Sequence, residues 1–387
     1  MTPNRWLILL VLFLARAAMS FQFQTIGAVG PLLIDRLHID FTWLGSLIGL
    51  YMLPGAVVAL PSGVLGQRFG AKQIVLVSLV LMVAGGAMTA SDQLVLVVAG
   101  RLISGVGGIA MSIMLTKMIT DWFVGKEIVT AMSILIASWP LGIGFSFLLF
   151  PPLAAALSWQ AVMLLAAAFA VLCLLLVAMV YRDAPDAPPA TGGAFSIELT
   201  KREWVLAIVA GSIWAVFNVG FILLVNFAPE LFTRAGYSLQ SASGIVSLLG
   251  WGTIPLVPLA GFAVERIKRP DLFMVTGFVL SSLLTLALPF ASAPVAVLLC
   301  LVIVTSLPAG PIFSLLAHVL SPQNRAVGMG VFFTLFYLGM AILPALAGKF
   351  RDVTGDPAAP ILFASAMMAS GLVLLLVFRT SQRLVKS

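Results

Sequence analysis

A guanidinium inside an apolar run is the first chemical anomaly of this sequence. Arg16 stands in "FLARAAMSFQFQT", residues 13–25, ten or eleven residues into an apolar stretch that runs from about 6 to 34. Ser20, Gln24 and Gly27 follow it at i+4, i+8 and i+11, the spacing of one helix face, whereas Gln22 falls on another side. Guanidinium is a planar, permanently charged fork that can grip a carboxylate or a similar oxyanion with two parallel hydrogen bonds. Held near the middle of hydrocarbon, it costs about 2.5–3.5 kcal/mol on insertion scales. Such a residue faces a water-filled cavity, receives an anionic partner, or bonds backbone carbonyls in helix packing.

Two more cations fall inside apolar runs. Arg101 lies some seven residues from one end of its run, where a structural, a gating or a substrate-contacting role is open. Lys117 lies four or five residues from the other end of the same run and can reach the interface by snorkelling or serve a ligand directly. All fourteen acids fall in loops or at run ends. Glu230 is the deepest of them, and Glu230 and His318 are the two candidates for carrying a proton. Trp214, Asn218 and Phe221 share a helix face, while Tyr51, Trp139, Trp251 and Tyr337 sit near the middle of their runs. Aromatics there fit either helix packing or a cavity wall with one polar tip.

The elements that hold these residues follow from composition. The 387-residue chain is 61% hydrophobic and 9% charged, with a mean hydropathy of +1.15, so its solvent is a bilayer. Twelve stretches of membrane-crossing length are expected at about 6–34, 42–66, 73–91, 94–120, 128–152, 160–181, 203–230, 241–264, 272–291, 295–320, 327–350 and 359–380. Each must be a helix, because hydrocarbon offers backbone groups no other partner. The first is read as a membrane helix rather than a cleaved signal, since Arg16 would precede any cleavage point and the run resumes as far as Leu33.

With both termini on the cytoplasmic side, inner loops and tails hold fourteen Lys and Arg and outer loops hold four. That is the positive-inside bias, so the net charge of +7 reads as topology and not as nucleic-acid binding. Cys173 and Cys300 lie within helices and imply no disulfide. No metal cluster, nucleophile–base pair or phosphate loop is legible, which argues against an enzyme, and neither a cofactor nor a metal is expected.

One long break, "YRDAPDAPPATGGAFSIELTKRE" at 181–203, separates two six-helix halves, 1–181 and 203–387, with 182–202 as a cytoplasmic linker. A shift of 198 residues lays "GVLGQRFGAK" (63–72) over "GFAVERIKRP" (261–270) and Arg16 over Trp214. Parallel six-helix repeats are a transporter plan.

These residues resemble the major facilitator superfamily over essentially the whole chain. The family's loop pattern G-x-x-x-D-R-x-G-R-[KR] is matched by Gly63, Arg68, Gly70 and Lys72, with Gln67 in place of the aspartate and Ala71 in place of the first basic residue. The second copy keeps Glu265, Arg266 and Arg269, and "GRLISGVGG" is similar to the family's R-x-x-x-G pattern through Arg101, Gly105 and Gly108. The antiport motif of helix five and the nitrate-porter signatures are not reproduced. "GPLL", "PLG" and "DVTG" look most like the cyanate-porter-like, anion-transporting branch.

The resemblance implies an all-α membrane protein of two pseudo-symmetric six-helix bundles, with helices one, four, seven and ten lining a cavity. It implies a secondary transporter of the inner membrane that works by rocker-switch alternating access. The expected cargo is a small organic or inorganic anion with Arg16 as counter-ion. Ser20, Gln24, Tyr51, Arg101, Lys117, Trp139, Trp214, Asn218, Trp251 and Tyr337 are the other candidate contacts. Gly63, Gln67, Arg68, Gly70, Lys72, Glu265 and Arg266 are the candidate gate. The expected partners are that anion and the lipid bilayer, with no nucleic acid and a monomeric chain. The alternatives are an exporter of a small hydrophobic compound and a transporter-like receptor or scaffold.

Overall fold

The computed structural model describes residues 4–123, 127–184, 199–317, 319–320 and 324–384. Among them the structure is helical: α1 Arg5–Ala28, α2 Gly30–Leu37, α3 Phe41–Leu50, α4 Gly55–Phe69, α5 Ala71–Met88, α6 Leu94–Phe123, α7 Ile128–Ala156, α8 Trp159–Val180, α9 Lys201–Arg234, α10 Leu239–Ile267, α11 Pro270–Ala287, α12 Pro294–Thr305, α13 Ala309–Ala317, α14 Arg325–Thr354 and α15 Ala358–Leu384. Among the described residues, twelve spans are long and apolar enough to cross a membrane.

Three of the expected continuous helices are broken. The first ends at Ala28 and restarts at Gly30 as the short α2, which stops at His38 with φ 50°. The second is interrupted at residues 51–54, ahead of Gly55, where Pro54 has no N–H to continue the ladder. The tenth is interrupted at 306–308, where Pro308 does the same between α12 and α13. Hydropathy shows none of these breaks, because the residues at each are as apolar as their neighbours.

The chain separates into two compact units. The first comprises Met1–His38 and Leu50–Ala194, the second Ile39–Gly49 and Phe195–Ser387. In the first unit α1 packs against α6, α7 and α8, and α5 against α6 and α8. The α5–α6 crossing depends on two glycines: a Cβ on Gly85 would lie 2.5 Å from the Gly100 carbonyl oxygen, and one on Gly100 would lie 2.5 Å from that of Gly85. At one end Lys72 Nζ donates to the carbonyls of Ala178 (3.2 Å) and Tyr181 (2.9 Å), satisfying groups the end of α8 leaves free. Trp122 Nε1 donates to the Arg182 carbonyl (3.0 Å) in the same place. Burial pushes the Tyr181 hydroxyl's pKa up, and Asp183 adds to the shift.

In the second unit α9 is the central helix, packed by α14 and α15. Thr200 and Glu203 form a reciprocal capping box at its start, and Asn324 Nδ2 donates to Glu203 Oε2 (2.8 Å). Leu206, Ile213, Phe217, Phe278, Phe332 and Phe378 form its core. The segment Ile39–Gly49, which precedes α4 in sequence, groups with this unit.

Candidate functional site

Arg16 is the twelfth of the 24 residues of α1 and is half-buried, midway along the first span. The residues one turn on fix how α1 meets α7. Ser20 Oγ donates to the Trp139 carbonyl (2.8 Å), and a Cβ on Gly142 would lie 2.4 Å from Ser20 Oγ, so the two helices touch there. Near the start of both helices Arg5 pairs with Glu127 at 2.7 Å. Arg5–Glu127 and Ser20–Gly142 share an offset of 122 residues, which sets Gln24 level with Ser146. Both are fully enclosed, and neither the Gln24 amide nor Ser146 Oγ has a hydrogen-bond partner among the described residues.

Gln22, on the other side of α1, donates from Nε2 to the Met82 carbonyl (2.8 Å). Its own carbonyl accepts from Arg101 Nη1 (2.7 Å), and the Phe23 carbonyl accepts from Arg101 Nη2 (3.2 Å). Arg101 is 1% exposed and stacks 4.7 Å from the centre of the Tyr51 ring. Its charge is spent on joining α6 to α1, which is helix packing. Tyr51 and Trp139 both lie against Phe23, at ring separations of 5.8 and 5.3 Å. The Tyr51 hydroxyl has no hydrogen-bond partner among the described residues, and a Cβ on Gly108 would come within 2.5 Å of it. Around residues 20–24 the first unit therefore gathers Ser20, Gln24, Tyr51, Arg101 and Trp139. Lys117 is elsewhere: its ammonium pairs with Asp121 one turn along α6 (2.6 Å).

In the second unit Trp214 is half-buried among aromatic rings. Phe313 lies 4.4 Å from it, Phe217 5.7 Å, and Phe332 and Phe336 6.3 Å each. Tyr337 continues the cluster through Phe336 (5.0 Å). Asn218 Nδ2 donates to the Trp214 carbonyl one turn back (2.8 Å). Trp251 is half-buried on α10.

Glu230 is held in a salt bridge. Arg351 Nη2 donates to its Oε1 (2.6 Å), and Arg351 Nε reaches Oε1 (3.1 Å) and Oε2 (3.2 Å). The partner of Glu230 is a cation 121 residues away in the chain, which sequence spacing does not reveal. His318 lies outside the described residues, as do the Gln67 side chain and the surroundings of Gly63. Of the rest of the loop motif, Gly70 takes φ 86°, where glycine is favoured, and joins α4 to α5. Arg68 is exposed over the Phe69 ring, and Glu265 and Arg266 are exposed at the end of α10.

Four functional-looking residues went unnoticed in the sequence: Phe41, Thr42, Arg351 and Asp352. The Phe41 and Thr42 amides donate to Asp352 (3.0 and 2.8 Å), and the Thr42 hydroxyl donates to it as well (2.5 Å). Their sequence signals are that Phe41 and Thr42 open a helix and that Asp352 begins the "DVTG" motif.

The chain is 24% identical over 386 residues to the hexuronate transporter of Bacillus subtilis (strain 168), covering 93% of this chain and 91% of that one. It is 24% identical to the 3-(3-hydroxy-phenyl)propionate transporter of Escherichia coli (strain K12), covering 92% and 89%. The inward-open xylose transporter XylE from E. coli matches its fold with a TM-score of 0.78 at 16% identity, covering 96% of both chains. The sequence profile of the Major Facilitator Superfamily matches residues 12–250 and 211–386. Twelve apolar spans, two helical units and a profile match that runs nearly end to end make this chain a multi-pass membrane transporter, not an enzyme, and a member of the Major Facilitator Superfamily.

Proposed function

We propose that the protein is a secondary transporter of a small organic anion, with Arg16 as the anion's counter-ion. The observation that carries this reading is a permanent cation halfway along the first span, half-buried, in a chain whose acids all fall in loops or at helix ends. A unit ion pair at 4 Å is worth about 4 kcal/mol at an effective dielectric near 20, comparable with the cost of burying the guanidinium. An arriving carboxylate thus offsets a cost the protein already bears. Neutralised, the pair can be enclosed away from water, which ties binding to rocker-switch alternating access.

An organic body is favoured over an inorganic ion by the aromatic company on each unit taken separately. Trp139 lies beside Phe23 in the first, and Trp214 sits among four phenylalanines in the second. Two relatives whose names specify carboxylate cargo, the hexuronate and the 3-(3-hydroxy-phenyl)propionate transporters, align over nine-tenths of this chain. The fourteen-to-four bias of basic residues supports an orientation with both termini cytoplasmic, and we infer a bacterial-type inner membrane for the chain.

The test is thermal unfolding of the purified protein with glucuronate, 4-hydroxybenzoate, nitrite and the uncharged 4-hydroxybenzamide. Ligands raise stability by mass action. Stabilisation by at least one carboxylate, lost in Arg16→Ala and not produced by the amide, is expected. Stabilisation by the amide alone, or by a carboxylate equally in Arg16→Ala, contradicts the counter-ion.

A further inference from the structure

Four span ends of the second unit meet at one cavity. The spans Lys201–Arg234 and Pro270–Phe290 finish there, and Pro294–Leu315 and Ala358–Arg383 begin there. The cavity measures about 330 Å³. That is near the lower end of the roughly 300–1,000 Å³ usual for small-molecule sites. Because its walls are the ends of membrane-crossing helices, it lies at the depth of lipid headgroups, whatever the orientation of the chain.

Its apolar lining includes the buried side chains Phe232 and Leu288, and Phe290 beside them is 75% exposed. Two charges of opposite sign line the same space: Arg234 in the last turn of α9 and Asp356 just ahead of α15. Among the described residues they form no ion pair with each other. Arg234 Nη2 stands 3.8 Å from Glu230 Oε1, beyond hydrogen bonding, and that carboxylate is already gripped by Arg351 at 2.6 Å. The Arg234 fork is thus left for a ligand. Asp356 Oδ1 accepts from the Ala358 amide (2.9 Å), capping α15, which leaves Oδ2 for another donor.

One cation and one anion beside apolar walls match an occupant that carries both charges and a hydrocarbon end. A headgroup of net negative charge would set its excess against Asp356. A phosphate diester suits the planar guanidinium. A primary ammonium donates hydrogen bonds to a carboxylate, whereas a quaternary one has no N–H to donate. We propose that this cavity binds the headgroup of a phosphatidylethanolamine lipid, with its phosphate on Arg234, its ammonium on Asp356 and its glycerol end against Phe290. The lipid then ties the turn between α11 and α12 to the ends of α9 and α15. The site involves neither the cargo nor Arg16.

The experiment needs no cargo. Full-length, delipidated protein in detergent is given equal amounts of phosphatidylethanolamine, phosphatidylcholine and phosphatidylglycerol with matched chains, and native mass spectrometry reads the first lipid retained. Phosphatidylethanolamine should be preferred about tenfold, the effect of a charge-assisted hydrogen bond that the others cannot make. Asp356→Asn keeps the helix cap and should abolish the preference while leaving phosphatidylcholine retention unchanged. Arg234→Gln should cut retention of phosphatidylethanolamine and phosphatidylcholine alike by about tenfold, since both present the phosphate. Both positions are exposed, so the variants should melt as wild type without lipid. Arg36→Gln, at an exposed arginine of the first unit, should change no retention. Equal retention of the lipids by wild type, preferred phosphatidylglycerol, or a preference that survives Asp356→Asn overturns the proposal. Displacement of the lipid by an equal concentration of water-soluble glycerophosphoethanolamine overturns it too, because the site would then serve a soluble zwitterion.

Discussion

Arg16 and Arg101 show why a charge in an apolar run needs a three-dimensional context. Both are cations within apolar runs, yet Arg101 is buried, donates to two carbonyls of α1 and stacks on Tyr51, whereas Arg16 is half-buried. Arg101→Met should lower the thermal stability of the purified protein markedly, by about 2–4 kcal/mol, through loss of the α6–α1 tie. Tyr51→Phe should leave stability within about 0.5 kcal/mol, since its hydroxyl has no partner among the described residues to lose. If Tyr51 lies on the cargo's path, that variant binds more weakly while unfolding at the same temperature, a split that thermal unfolding with and without anion resolves. Lys117→Met should change neither stability nor anion binding measurably, because its partner is Asp121 and an i,i+4 pair with a half-exposed ammonium contributes little. A tenfold loss of anion affinity in that variant would return Lys117 to the site.

At the scale of elements, the twelve spans were legible because hydropathy and the demand for backbone hydrogen bonds act on every residue alike. The breaks at 51–54 and 306–308 were not, although Pro54 and Pro308 mark them. Proline is tolerated within α7, α10 and α14 of this same chain, so its presence alone does not decide. The face shared by Arg16, Ser20 and Gln24 was readable from spacing, but what it meets was not. Ser20 meets α7, and no pattern along α1 names that partner. The capped start of α3 was invisible because its acceptor is 310 residues away. Glycine spacing likewise does not separate contact from open space, and a pair of substitutions makes the point. Gly85→Ala pushes a methyl into the Gly100 carbonyl and should lower the melting temperature. Gly244→Ala meets nothing within 4 Å and should raise stability by about 0.5–1 kcal/mol through helix propensity. Equal effects of the two would contradict the packing assigned to α5 and α6.

For the whole molecule, the proposed counter-ion role makes charge balance the governing expectation for the cycle: on that reading the anion is what compensates the permanent charge of Arg16. Exchange of one anion for another should then outpace net transport, since an empty return carries the Arg16 charge through the closed state without its ligand. Each 1.4 kcal/mol of that cost slows the return about tenfold. Proteoliposomes loaded with unlabelled anion should take up label faster than empty ones, with or without a pH gradient. Accumulation into empty vesicles driven by an inward proton gradient, and abolished by Glu230→Gln, would show a side-chain proton path instead.

Counterflow with Arg16 varied tests the counter-ion most directly. Vesicles preloaded with the anion identified by thermal unfolding receive a trace of labelled anion outside, and wild type is compared with Arg16→Lys. Lysine keeps the charge and loses the planar fork, so transient accumulation should fall below about a tenth of the wild-type rate. Wild-type counterflow in Arg16→Lys would contradict a bidentate grip, and wild-type counterflow in Arg16→Ala would remove Arg16 from transport altogether.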